Sequence, residues 1–204
     1  LLEPRKNYNT MDKPQVYRKS KLTPFGELFP FKDIFPWLAE KLLWGVGISN
    51  WNVGPGADVL SFKLKNNKVK VGNIICIESI HSDFVRHYVL KGANIFTVIT
   101  NDGWYDHTVG PRQHYLLSCI RAIENRRYIA RVGNTGLSGF ISPLGTSLEE
   151  LPQYEVIARA KTLPLVEDVT FYSKYGDKLP HLAGWFTLAV FSFIFSKRFI
   201  GKRD

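Results

Sequence analysis

Val71-Gly72-Asn73-Ile74-Ile75-Cys76-Ile77-Glu78-Ser79 is the stretch from which the rest of the chain can be read. An apolar, β-branched run ends on a cysteine, and a carboxylate follows two residues later. Such a run reads as a buried strand, here 69–77, that delivers the thiol to its own end. A loop at that end can open onto substrate, so Cys76 is expected to be an acyl-accepting nucleophile. Val59–Leu64 reads as the strand before it, joined through Asn66-Asn67 as a hairpin.

Working outward, 82–91 reads as a helix with Ser82 as its N-cap and Phe84, Val85, Tyr88 and Val89 facing inward. Residues 93–100 form a continuous β-branched run, a buried strand that ends at Asn101-Asp102-Gly103-Trp104. Residues 113–125 carry a helical pattern with Leu116, Leu117, Ile120 and Ile123 as apolar positions. Strands are expected at 128–132 and 138–141 around the Asn134-Thr135-Gly136 turn, and at 154–160 and 162–165. Upstream, 1–16 reads as loop, Val16-Tyr17-Arg18-Lys19 as a short strand, and Thr23-Pro24-Phe25-Gly26-Glu27 as a turn. The apolar stretch from Leu28 to Trp51 reads either as a core helix or as an exposed arm that touches lipid or ligand. Strands and helices alternate, so the fold class is α/β and layered.

The 204 residues, 45% hydrophobic and 22% charged, suffice for one substantial domain and are not a disordered tail. With 27 basic against 18 acidic residues the net charge is +9, which suits nucleic acid or anionic lipid. No zinc-finger spacing, RNP-like motif or long basic run is present, so nucleic acid is not the expected partner. The 14 Phe, 9 Tyr and 5 Trp suit a membrane interface as well as a core. Cys76 and Cys119 could pair but make no disulfide framework. No metal-ligand or P-loop spacing occurs, and no metal or cofactor is expected.

The C-terminal tail differs. From Leu179 to Ser196 no Asp, Glu, Lys or Arg occurs. A helix of that length spans roughly 27 Å, close to a bilayer core of about 30 Å. Lys197, Arg198, Lys202 and Arg203 follow, and Trp185 sits near the other end. A transmembrane helix over 179–196 with a cytoplasmic basic end is expected, the preceding domain lying on the far face. The alternative is a buried C-terminal helix, because Pro180 and His181 shorten the strongly apolar part to Leu182–Phe195.

A cysteine at the end of an apolar strand is by itself more often inert core. A thiol nucleophile needs a proton acceptor, an oxyanion donor and a shaped, dry site. Glu78, Lys19 and Glu27 are the nearby charged candidates, although each alone also reads as a solvated surface charge. His81, His87, His107 and His114 offer a Cys-His alternative without a protease-like local signature.

Tyr17-Arg18-Lys19-Ser20-Lys21-Leu22-Thr23-Pro24-Phe25-Gly26-Glu27 and Gly72-Asn73-Ile74-Ile75-Cys76-Ile77-Glu78 resemble the lysine and cysteine motifs of the nitrilase (carbon–nitrogen hydrolase) superfamily. Arg121-Ala122-Ile123-Glu124-Asn125 and Asn134-Thr135-Gly136 match it more broadly. Leu22 to Glu27, and Thr100-Asn101-Asp102-Gly103-Trp104-Tyr105 running to Gly110-Pro111-Arg112-Gln113-His114, resemble the apolipoprotein N-acyltransferase family within it. The resemblance covers nearly the whole chain. It implies a nitrilase-like αββα sandwich with its N-terminal part missing: a partial catalytic domain over 1–170, then a linker and membrane helix over 171–204.

By that resemblance Cys76 is the nucleophile, and Lys19 stabilises the oxyanion with the backbone N–H of Ile77. Glu27 and Glu78 are supporting acids, and Trp104 is a substrate contact; the apolar arm from Phe29 to Trp51 is expected to dip into the outer leaflet, which makes Trp37 and Trp44 substrate contacts too. The family often has Tyr where this chain has Ile77. Its general-base Glu lies upstream of the lysine motif. Glu3, the one Glu before Lys19, has unlike surroundings, so the chain is expected to be a C-terminal fragment, inactive alone. The implied reaction moves an acyl chain from a phospholipid, through a Cys76 thioester, to the N-terminal amine of a diacylglyceryl-cysteine apolipoprotein. The implied setting is a monomer in the bacterial inner membrane, multi-pass when complete, with its catalytic domain on the periplasmic face. Rival readings are an amidase acting on small amides and a non-catalytic membrane-anchored module.

Overall fold

The computed structural model describes residues 14–28, 34, 37, 51–64, 67–105 and 107–200. Its centre is a six-stranded mixed sheet in the order β1-β2-β3-β4-β5-β6. The strands are β1 (Val59–Leu64), β2 (Asn67–Ile75), β3 (Ile95–Asn101), β4 (Ile129–Asn134), β5 (Ser138–Ile141) and β6 (Ser147–Leu151). β1 pairs antiparallel with β2, with Leu64 opposite Asn67, as expected of a hairpin. β2, β3 and β4 run parallel, Ile75 opposite Ile99 and Asn101 opposite Asn134. Parallel neighbours need crossovers. Helix α1 (Ser82–Leu90) supplies the first and α2 (Gly110–Asn125) the second. The carboxyl ends of β2, β3 and β4 therefore lie side by side, where open α/β sheets place their sites.

The core lies between the sheet and these helices. Ile74, Phe96, Val98 and Ile129 from the sheet meet Val85, Tyr88, Val89, Tyr115 and Ala122 from the helices, all but excluded from water. Tyr88 packs edge-on to both Phe84 and Phe96, at centroid distances of 5.6 and 6.3 Å. On β3 and β4 the alternate side chains Ile99 and Val132 remain about half exposed. One α layer on one β layer is thus what the described residues contain.

Several expectations need correction. Val16 to Lys19 pairs in no strand. The nucleophile strand stops at Ile75, and Cys76 opens a 3₁₀ turn, Cys76–Ile80. Ser82 is the first helical residue rather than the cap, which is His81, and its hydroxyl donates to Asp177 instead. Residues 154–165 form no strand. Tyr154 has φ 61° and Val156 is fully exposed, so the local β-branched pattern has no ladder to join. The last strand is β6, whose Glu149 and Glu150 hid it, since charged residues suit a sheet edge rather than its middle.

Helix α2 inverts its apparent pattern. Leu116, Ile120 and Ile123 are each over 40% exposed, while His114, Ser118, Arg121 and Asn125 are buried. The buried stripe is polar because it receives hydrogen-bonding groups from the turns at the ends of β2 and β3. The chain closes with α3 (Phe171–Tyr175), capped by the Thr170 hydroxyl, and α4 (Lys178–Ile200). α4 has a mean hydropathy of 1.5 over Lys178–Arg198 and none of that span is buried. It is long and apolar enough to cross a membrane, and it packs into no core among the described residues.

Candidate active site

Cys76 sits where β2 turns into the 3₁₀ segment, with φ 52°. A left-handed conformation costs a non-glycine residue roughly 1–2 kcal/mol, so the surroundings must enforce it. Such a sharp turn lifts the side chain clear of the strand, and Cys76 is partly exposed while Ile74 is fully buried. Cys76 and Cys119 are both free thiols. Cys119 is buried in α2, and that burial pushes its thiol up.

Glu78 organises the turn. Its carboxylate is fully buried and accepts the backbone N–H of Ile75 at 2.8 Å, the return half of a capping box. The other oxygen accepts Tyr17 Oη at 2.6 Å, Ser20 N at 2.6 Å and Lys21 N at 3.2 Å. One carboxylate therefore ties the strand end that carries Cys76 to the segment that carries Lys19. Burial and the hydrogen bond to Glu78 push the Tyr17 phenol far up, which keeps it a donor.

Lys19 lies on that tethered segment with its side chain 14% exposed. Its Nζ meets both oxygens of Glu27, at 2.7 and 2.5 Å. Glu27 reaches back from the turn after Thr23 and also accepts the Thr23 N–H at 2.8 Å. Partial burial raises the Glu27 carboxyl, but the Lys19 ammonium and the Thr23 N–H outweigh it and hold the group below its ordinary value. Gly54 clamps the segment from outside by donating its N–H to Lys19 O at 2.8 Å. A Cβ at Gly54 would lie 2.1 Å from Arg18 O, so only glycine permits this approach.

The turn has a second set of partners. Ser79 Oγ donates to Cys76 O at 2.9 Å and lies 2.7 Å from His114 Nε2, which is itself 3.2 Å from Cys76 O. His114 Nδ1 is 2.8 Å from Asp102 Oδ1, and Arg131 Nη2 donates to Asp102 Oδ2 at 2.9 Å. Thr100 Oγ1 donates to Asp102 as well. Burial raises the Asp102 carboxyl, and His114 and Arg131 together more than reverse this, holding it down. Arg121 donates to the carbonyls of Ser79 and Ile80 from α2. A Cβ on Gly136 would meet Asp102 Oδ2 at 2.3 Å, so the β4–β5 turn closes directly over this carboxylate.

Of the residues expected at the site, Cys76, Ile77, Glu78, Lys19 and Glu27 are brought into one linked group. Ile77 is the half-buried second residue of the turn. Trp104 stands at the carboxyl end of β3, 83% exposed, and Trp37 is 63% exposed. Trp44, and the stretch from Leu28 to Trp51 apart from Leu28, Ile34, Trp37 and Trp51, lie outside the described residues. Neither Glu78 nor Lys19 is a surface charge. The Cys-His alternative takes an unforeseen form, because His114 addresses the Cys76 carbonyl through Ser79.

The sequence reading assigned no role to Tyr17, Ser79, Asp102 and Arg131, and weighed His114 only as a direct partner of the thiol. A signal for part of them existed: His114, Ser118, Arg121 and Asn125 recur at helical spacing, a polar stripe that α2 turns inward.

A family model described as carbon–nitrogen hydrolase matches residues 1–168. Among curated relatives, the apolipoprotein N-acyltransferase of Chlorobaculum tepidum is 42% identical over 170 residues, covering 82% of this chain and 32% of that protein. That of Bdellovibrio bacteriovorus is 36% identical over 174 residues, covering 82% and 30%. Apolipoprotein N-acyltransferase 1 of Treponema denticola is 32% identical over 206 residues, covering 100% and 37%. The chain thus spans about a third of the length of these relatives. Among solved structures, a mutant of the Nesterenkonia AN1 amidase from the nitrilase superfamily is 21% identical, with a TM-score of 0.42, covering 53% of this chain and 42% of that one.

Proposed function

Because this chain belongs to the carbon–nitrogen hydrolase family, we propose that it carries the nucleophile half of an N-acyltransferase that matures bacterial lipoproteins. Cys76 attacks the ester carbonyl of a phospholipid acyl chain. A C–S bond forms, the C–O bond breaks, and the lysophospholipid leaves with the proton. The α-amine of a diacylglyceryl-cysteine then attacks the thioester. The C–N bond forms, the C–S bond breaks, and the thiol is regenerated as the amine gives up its proton. A thioester relay of this kind lets two bulky lipids use one site in turn.

The observation that carries the reading is the Glu78 tether, which locks the Cys76 turn to the Lys19 segment. Lys19 and the Ile77 N–H serve the oxyanion that forms as the carbonyl is attacked. Glu27 holds the ammonium in place. Glu27 is committed to Lys19 and Glu78 to four donors, so neither is free to take the thiol proton. A carboxylate from outside the described residues is assigned that task. The names of the relatives support the acceptor class, and the unburied apolar helix α4 supports a membrane setting. Trp104, exposed at the carboxyl edge of the sheet, suits the lipid side of the site, where amphipathic rings are favoured.

The test is Cys76→Ala in the complete coding sequence, expressed in a bacterial membrane. Thioester formation with a labelled phospholipid and N-acylation of a lipoprotein acceptor should both be abolished. N-acylation that persists in this variant refutes the proposal.

A further inference from the structure

Ser79, His114 and Asp102 stand in line beneath the Cys76 turn, with the spacing of an acyl-transfer triad: 2.7 Å from Ser79 Oγ to His114 Nε2, and 2.8 Å from His114 Nδ1 to Asp102 Oδ1. They are not a second active centre, because Ser79 is 0% exposed and its hydroxyl meets no space that a substrate could occupy. What the line reaches is the carbonyl oxygen of Cys76, at 2.9 Å from Ser79 Oγ and 3.2 Å from His114 Nε2.

That carbonyl belongs to the same planar peptide unit as the N–H of Ile77. In a trans peptide the C=O and N–H point in opposite directions. Anchoring the Cys76 oxygen in the interior therefore aims the Ile77 N–H the opposite way, out of that interior. The far end of the line is also fixed. Asp102 is held by Arg131 and Thr100, and Arg131 in turn by Ser118 Oγ and Leu137 O. The Tyr105 ring meets His114 edge-on at 6.4 Å between centroids. The chain of contacts thus runs from the rigid centre of the sheet to the one peptide whose orientation matters at the turn.

We propose that Ser79, His114 and Asp102 are positioning residues for acyl transfer, holding the Cys76–Ile77 peptide so that the Ile77 N–H is pre-aimed at the oxyanion. The proposal rests on the reading of Cys76 as the acyl-accepting nucleophile. It separates two properties of the same cysteine. Acylation passes through an oxyanion and needs the aimed N–H. Alkylation by iodoacetamide is a displacement at carbon, forms no oxyanion, and needs only an accessible thiolate.

The experiment compares both reactions in the complete membrane protein. Ser79→Ala removes the donor to the Cys76 carbonyl with little change in volume. It is expected to slow thioester formation from a labelled phospholipid by about 10²-fold, the scale of losing one oxyanion donor. Alkylation of Cys76 by iodoacetamide, read by mass spectrometry, is expected to stay within about twofold of the parent, far below that oxyanion-donor scale. Acylation unchanged in Ser79→Ala, or acylation and alkylation falling together, overturns the proposal. Should Ser79→Ala fail to accumulate folded, His114→Gln carries the test. Glutamine cannot reach Asp102 and Ser79 at once, so the same split is expected and unchanged acylation is again fatal. A parent protein that transfers acyl chains with no thioester at Cys76 sinks the nucleophile reading itself, an outcome distinct from a failed split.

Discussion

Replacing Glu78 by glutamine perturbs the molecule at the one side chain that joins its two functional segments. In the native protein Oε1 serves Tyr17 Oη, Ser20 N and Lys21 N, while Oε2 serves Ile75 N. Glutamine keeps a single acceptor oxygen. Turned toward the three donors, it sets its NH₂ against the Ile75 N–H, at a place where the native distance is 2.8 Å. One bond to a charged acceptor is then lost, about 1.5–3 kcal/mol. The three that remain lose their charge assistance, which roughly halves each and costs about 2–4 kcal/mol more. The sum, about 4–7 kcal/mol, is a large part of the roughly 5–15 kcal/mol by which domains are stable. At roughly 2–4 °C per kcal/mol for a chain of this size, melting should fall by on the order of 10 °C. Glu155→Gln, at an exposed carboxylate, serves as the control and should melt like the parent. The assay is thermal unfolding of the detergent-solubilised protein, with thioester formation measured at a temperature where both variants are folded. The thioester signal should drop with Glu78→Gln even there, because the Lys19 segment is no longer tied to the Cys76 turn. A Glu78→Gln protein melting within about 2 °C of the parent, less than about 1 kcal/mol by the same conversion, with acylation intact, would refute this reasoning.

Other outcomes follow from the same geometry. Lys19→Ala should leave the fold intact, by circular dichroism, and cut the rate of thioester formation by about 10²-fold or more. Gly54→Ala places a Cβ 2.1 Å from Arg18 O and must push the Lys19 segment outward. A displacement of about 1 Å can cost on the order of 10²-fold, so acylation should fall although Gly54 lies outside the chemistry. The pH dependence has a definite sign. Glu27 is held below its unfolded value, so its contribution to stability is complete above about pH 5 and is lost as pH falls through about 4 and below. The melting difference between the parent and Glu27→Gln should be constant from pH 7 to 5 and close on further acidification. A gap that instead grows on acidification contradicts the Lys19–Glu27 pairing.

The elements that sequence made legible are those whose side chains announce their surroundings. β1 is found over its whole length because Val59–Leu64 joins β2 through a hairpin, and β2 because Val69, Val71 and Ile74 are core residues. The motifs around Lys19, Glu27, Cys76 and Glu78 were readable as a set. Their geometry was not, because a carboxylate that accepts four hydrogen bonds across about sixty residues of sequence looks, in sequence, like any surface glutamate. The same cause hid the polar interior of α2. His114, Ser118 and Arg121 are buried because they satisfy the Cys76 turn, Asp102 and Arg131, groups that come from other elements. The strands expected over 154–165 fail for the converse reason. Their composition suits a sheet, but β6 already closes that side, with Arg159 and Lys161 pairing to its Glu149.

The central claim is that Cys76 accepts the acyl chain. Its most direct test is peptide mass spectrometry of the complete membrane protein after incubation with phospholipid and no lipoprotein acceptor. An acyl adduct on the Cys76 peptide, released by hydroxylamine and discharged by added acceptor, is the predicted result. An unmodified Cys76 in a preparation that still N-acylates its acceptor would contradict it.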